Sequence, residues 1–125
     1  MNIKDEIKEF FRDKGYDLRN TKGSPEDAEI ILKGLCKHDA LCALELYRQL
    51  GITVLGGDVL CRHGDGTIRY TGDGWYLKSL ECENERERFE RSISESQRYI
   101  SQYDPPFMDR DSVLFDIVPE YPYVR

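Results

Sequence analysis

The chain has no long apolar run. Its longest stretch without a charged residue is Gln49–Gly57, of which Leu50–Gly57 is the least polar part, far short of the roughly 20 apolar residues that a membrane helix needs. It has no leader-like start either. Met1-Asn2-Ile3-Lys4-Asp5-Glu6 carries two acids where a signal peptide carries only bases, and no apolar segment follows. The expectation is therefore a cytoplasmic protein with no membrane contact. Basic excess is missing too: 24 Asp and Glu stand against 18 Lys and Arg, a net charge of −6. Nucleic-acid affinity comes from Lys and Arg displacing counterions, so a nucleic-acid partner is not expected. No Cys-x-x-Cys pair occurs among Cys36, Cys42, Cys61 and Cys82, and their spacings fit no zinc finger or ribbon. They read as small, buried or semi-buried thiols.

What is present suits a single domain spanning residues 1–125. Eight Tyr, five Phe and one Trp supply apolar bulk although 34% of residues are charged. Ile3, Ile7, Phe10 and Phe11 fall on one helical face, giving an N-terminal helix within residues 1–15. Tyr16 to Gly23 is polar and mixed, and reads as a loop. Ser24-Pro25-Glu26-Asp27 resembles a helix start, but Glu29-Ile30-Ile31-Leu32 is a β-type cluster, so a short turn and then a strand is favoured. Asp39 to Gly51 forms a second helix with Ala40, Ala43, Leu44, Tyr47 and Leu50 on its stripe. Ile52–Leu55 and Val59–Cys61 are strand segments broken by Gly56-Gly57-Asp58. His63-Gly64-Asp65-Gly66 is a hairpin turn, Thr67–Thr71 the return strand, and Gly72-Asp73-Gly74 a bend before Trp75-Tyr76-Leu77. Glu83 to Tyr103 is a long helix, with Phe89, Ile93, Ser96 and Ile100 inward and Glu87 placed to pair with Arg91. Val113–Val118 is a last strand, and 119–125 an extended tail. Helices between strands imply crossovers. The expected fold is α/β in the α+β sense: a sheet of mixed direction, about four strands, with three helices packed on it.

The chemistry-bearing residues are few. Cys61 and His63 stand two apart on a strand and invite a nucleophilic reading as a small hydrolase or transferase, but Asp58 and Asp65 make their surroundings acidic and disfavour a thiolate. His38, near a helix start, reads as a solvated end residue. The glycine runs are no phosphate loop, because Gly56-Gly57-Asp58 leads into a strand rather than a helix and carries an acid. Asp58, Asp65 and Asp73 are too far apart for a calcium loop. No catalytic set, metal or cofactor is expected. Asp65 and Asp73 fit turn chemistry, whereas Asp58 lies in an otherwise apolar strand, where a charge must face solvent, a partner or a compensating group. A one-residue bulge at Gly56-Gly57 would flip the parity and place Asp58 opposite Ile52 and Val54. Asp58 then either holds the bulge or contacts a partner. Trp75 and Tyr76 are either core packing or an aromatic anchor.

The run Leu50-Gly51-Ile52-Thr53-Val54-Leu55-Gly56-Gly57-Asp58-Val59, after a helix beginning Asp39-Ala40-Leu41, resembles the immunity protein 40 family of bacterial polymorphic toxin systems. Ile68-Arg69-Tyr70-Thr71, the Asp73–Tyr76 element and the helix from Arg91 to Ile100 extend the resemblance over roughly Glu29 to Ile100. It implies a non-enzymatic protein whose partner is a toxin's C-terminal domain, bound and occluded to protect the producing cell. Asp58, Asp73, Trp75 and Tyr76 are the candidate partner-binding residues, expected on one face. The rival from a different class is the small hydrolase or transferase using Cys61 and His63, and a third reading is a toxin-unrelated acidic binding module.

Overall fold

The computed structural model describes residues 2–18, 32–105, 109 and 112–120. Helix α1 spans Ile3–Arg12, opened by the Asn2 side chain, which accepts from the Asp5 amide at 2.8 Å, and it buries Ile7 and Phe11. Asn at this position satisfies one of the orphan donors of the first turn. Tyr16–Asp17 (β1) pairs antiparallel with Lys33–Gly34 (β2). Tyr16 and Asp17 are thus a strand and not the loop their polarity suggests. Leu18, fully buried, anchors them, and its amide donates to the Leu32 carbonyl at 3.1 Å. Two residues are too few to show a period in sequence. The Ser24–Asp27 turn and most of the Glu29–Leu32 cluster lie outside the described residues.

Helix α2, Lys37–Leu50, starts two residues before the expected Asp39 and ends at Gly51. Its stripe of Ala40, Ala43, Leu44 and Tyr47 is buried as anticipated. Then come β3 (Val54–Arg62), β4 (Ile68–Tyr76), α3 (Glu85–Gln102) and β5 (Val113–Pro119). A capping box between Asn84 and Glu87 opens α3. Glu87 is therefore engaged at the cap, and Arg91 pairs instead with Glu83 at 2.6 Å and Glu95 at 3.0 Å. The reach back to Glu83 crosses the loop before the helix, which helical spacing alone does not reveal.

The main sheet has the order β4–β3–β5, and Leu35 and Phe115 exchange both backbone hydrogen bonds, tying the β1–β2 pair to its β5 edge. The α+β class stands, but the sheet is not of mixed direction: every pairing among the described residues is antiparallel. The crossover through α3 does join two strands of like direction, β4 and β5, yet β3 lies between them. Like-directed strands are never neighbours. The main core gathers Ile7, Phe11, Ala43, Leu44, Tyr47, Val54, Val59, Ile93, Phe115 and Ile117 between the helices and one sheet face. A smaller cluster of Leu18, Leu32, Leu60 and Leu114, joined by Ile68 and Tyr70, covers part of the other face. Among the described residues no helix is long and apolar enough to cross a membrane.

Candidate functional site

The β3 strand carries the glycine break, and its register with β5 shifts between Val54 and Gly56. The slip falls at Leu55, one residue before the expected Gly56-Gly57, and has the expected effect. Val54 and Val59 both enter the main core, while Asp58 stands on the far face, directly across from Asp116 of β5. Gly57 is bare because the Trp75 ring lies across it: a methyl there would come within 2.7 Å of Trp75 Cζ2. Gly56, at φ +150°, would push a methyl to 2.8 Å from the Tyr76 Cα. Close strand approach, rather than any bound anion, explains both glycines.

On β4 the expected bend at Gly72-Asp73-Gly74 is part of a continuous strand. Asp58 pairs with Gly74 and Leu60 with Tyr70, so Thr71, Gly72 and Asp73 together oppose Val59. Thr71 repairs the interrupted ladder. Its hydroxyl donates to the Val59 carbonyl at 2.8 Å and accepts from the Asp73 amide at 3.1 Å. A bulge of this kind re-aims the side chains beyond it.

Beyond the bulge, the four candidate residues divide between the two faces, contrary to the single face expected. Trp75 points to the helices. Its indole N–H donates to Ser96 Oγ at 2.9 Å, and its ring stacks on Tyr99 at a centroid distance of 4.7 Å. Asp73 follows it, accepting from the Tyr103 hydroxyl at 2.7 Å. Burial, together with that bond to Asp73, pushes the Tyr103 hydroxyl up to about 12. One turn before Ser96, Ser92 Oγ accepts from the Val54 amide at 3.0 Å, so two α3 serines pin the helix to the start of the break and to Trp75. Strand alternation sends Asp58 and Tyr76 the other way. The physical reason is register: Trp75 pairs with Gly57, and Tyr76 pairs with Gly56.

Asp58 does not stand alone on its face. Asp116, opposite it, is only 4% exposed. Burial first, and the Asp58 charge second, push the Asp116 carboxyl up to about 8. Burial also raises Asp58. Tyr70, on the same face, is pushed up to about 12 by burial and by both acids. Among the described residues no Lys, Arg or His forms a salt bridge with either carboxylate. Sequence reasoning missed Asp116, although the signal that singled out Asp58 was there: an acid inside the apolar run Val113–Val118.

Cys36 and Cys82 are exposed, contrary to the burial expected of the thiols. Cys61 is the next-to-last residue of β3, paired with Val113, and His63 opens the turn, its amide donating to Thr67. No hydrogen bond joins the two side chains among the described residues. Cys42 instead lies 3.7 Å from His38 Nε2, one turn apart on α2. Asp65 acts as turn chemistry requires, accepting from the Thr67 amide and hydroxyl at 3.0 and 2.7 Å. Among the described residues no three His, Cys, Asp or Glu side chains cluster as a metal site.

The profile of the family described as Immunity protein 40 matches residues 29–119. That match spans the whole sheet core and both long helices, and the chain belongs to this family. No curated protein and no solved structure matches the chain. Membership carries the coarse functional class, an immunity protein.

Proposed function

We propose that this member of the Immunity protein 40 family binds a cognate toxin domain in the bacterial cytoplasm and neutralises it by occlusion. The family match over residues 29–119 carries this reading. The charge distribution supports it. Residues 52–125 hold 14 acids against 9 bases, and an acidic inhibitor is steered onto a basic target. Of the four candidate contacts, Asp58 and Tyr76 lie on the sheet face turned away from the helices. Asp73 and Trp75 serve from behind it, held by Tyr103, Ser96 and Tyr99. The test is co-expression with the C-terminal domain of the toxin encoded beside this chain. Survival of the cells and co-purification of the two proteins are expected. Cell death at full expression of the immunity chain would overturn the reading.

A further inference from the structure

The sheet face away from the helices has two halves. One is covered by Leu18 and Leu32 over Leu60 and Leu114. The other is built in two rows that the register fixes. In the first, Gly56 of β3 pairs with Tyr76 on one side and Val118 on the other. Tyr76 is 74% exposed and Val118 40%. Strand spacing puts these two walls about 9.5 Å apart at the backbone, with a floor that has no side chain. The next row, about 7 Å along the strands, is Gly74, Asp58 and Asp116. A trough with an aromatic wall, an aliphatic wall and a glycine floor thus leads to two carboxyl groups. Asp116 is more than nine-tenths buried, and among the described residues no side chain donates a hydrogen bond to it.

We propose that this trough seats one arginine or lysine side chain of the toxin domain, its stem over Gly56 between Tyr76 and Val118 and its cation at Asp58 and Asp116. The chemistry fits at each point. Long basic side chains bury their methylenes along apolar surface while the charged head stays polar. A ring beside the stem suits a guanidinium. Two acids on neighbouring strands, with no described cation beside them, are relieved by one that arrives from outside. The net charge of −6 favours a basic partner over an acidic one. This inference rests on the toxin-binding reading for the identity of the partner, but not for the chemistry of the seat.

The seat is tested by titrating the protein with propylguanidinium, the arginine side chain without its backbone, and following amide NMR shifts. Saturable shifts centred on Gly56, Asp58, Gly74 and Tyr76 are expected. Asp58→Asn weakens the apparent affinity at least fivefold, and Val118→Lys, which places a cation of the chain's own in the trough, removes the localised response. Val118 is exposed, so this second variant decides the matter even if Asp58→Asn folds poorly. Shifts spread equally over helix carboxylates, or unchanged in Val118→Lys, overturn the proposal. With the toxin domain as titrant, Val118→Lys is expected to lose at least tenfold in affinity at native thermal stability. Toxin binding that is intact in both variants refutes the seat and leaves the immunity role standing. A toxin domain that fails to bind the wild type refutes that role, while the guanidinium titration still judges the trough. A wild-type dimer that Val118→Lys dissolves gives the trough to a second copy of the chain and likewise overturns the proposal.

Discussion

Replacing Asp116 with Asn isolates the energetics of the buried acid, because the side chain keeps its shape and loses its charge. The folded state raises this carboxyl to about 8, against an ordinary unfolded value near 3.9. A raised acid favours the protonated fold. Its contribution to stability is fully present below about pH 4 and is lost as pH rises through about 8. Between those limits each pH unit costs up to about 1.4 kcal/mol. At pH 7 the accumulated cost is bounded near 4 kcal/mol. Sharing of the proton with Asp58 and relaxation of the strands lower it, so about 1–3 kcal/mol is expected, a large share of the 5–15 kcal/mol typical of a domain. The assay is urea unfolding of wild type and Asp116→Asn at pH 5, 7 and 8.5. The gap between them is expected to widen with pH in favour of the variant, adding roughly 4 °C to the Tm per kcal/mol. Taking the difference removes the titration of acids remote from this pair. A constant gap, or a variant less stable than wild type at pH 8.5, refutes the reasoning, since either means that the ionised carboxylate is well served in the fold.

Trp75→Phe keeps a ring against Tyr99 but drops the bond to Ser96, so a loss of about 1 kcal/mol is expected, while Trp75→Ala costs about 3–5 kcal/mol; thermal melts check both, and an Ala variant of native stability that loses toxin affinity would move Trp75 to the interface. Ser92→Ala strands the Val54 amide at the start of the β3 break, and chemical denaturation should show a loss of about 1–3 kcal/mol. Cys61→Ser and His63→Ala should still protect cells from the toxin; loss of protection in soluble, folded forms of both would argue for the enzyme reading. Stopped-flow association with the toxin domain should slow steeply as salt rises, because steering is screened over roughly 8 Å at physiological ionic strength; a salt-insensitive rate removes steering.

What the sequence made legible follows the range of the forces involved. The three helices could be read because their stripes repeat every turn and Gly51 closes α2, whereas the caps at Asn2 and at Asn84–Glu87 show only in the structure. Parity across the β3 break was legible for a similar reason, since an acid among Ile52, Val54 and Val59 is tolerable only if the strand slips by one. Pairing partners were not. Tyr16–Asp17 is a strand only because Lys33–Gly34 lies beside it, and the direction of the sheet depended on β3 inserting between β4 and β5, which no local pattern encodes. The same limit governed the candidate site. Asp73, Trp75 and Tyr76 lie within one four-residue stretch, and that closeness suggested one face, but a strand alternates its faces at every residue. Trp75 was then drawn to the helices by Ser96 and Tyr99, 21 and 24 positions further along the chain. Asp116 shows the converse. It was as anomalous in its strand as Asp58, yet only the β3–β5 register turned two isolated acids into a facing pair. Two such anomalies on neighbouring strands reinforce each other physically, because each raises the cost of ionising the other. An unexplained charge in one apolar strand is therefore reason to look for a second in the strand that will pair with it.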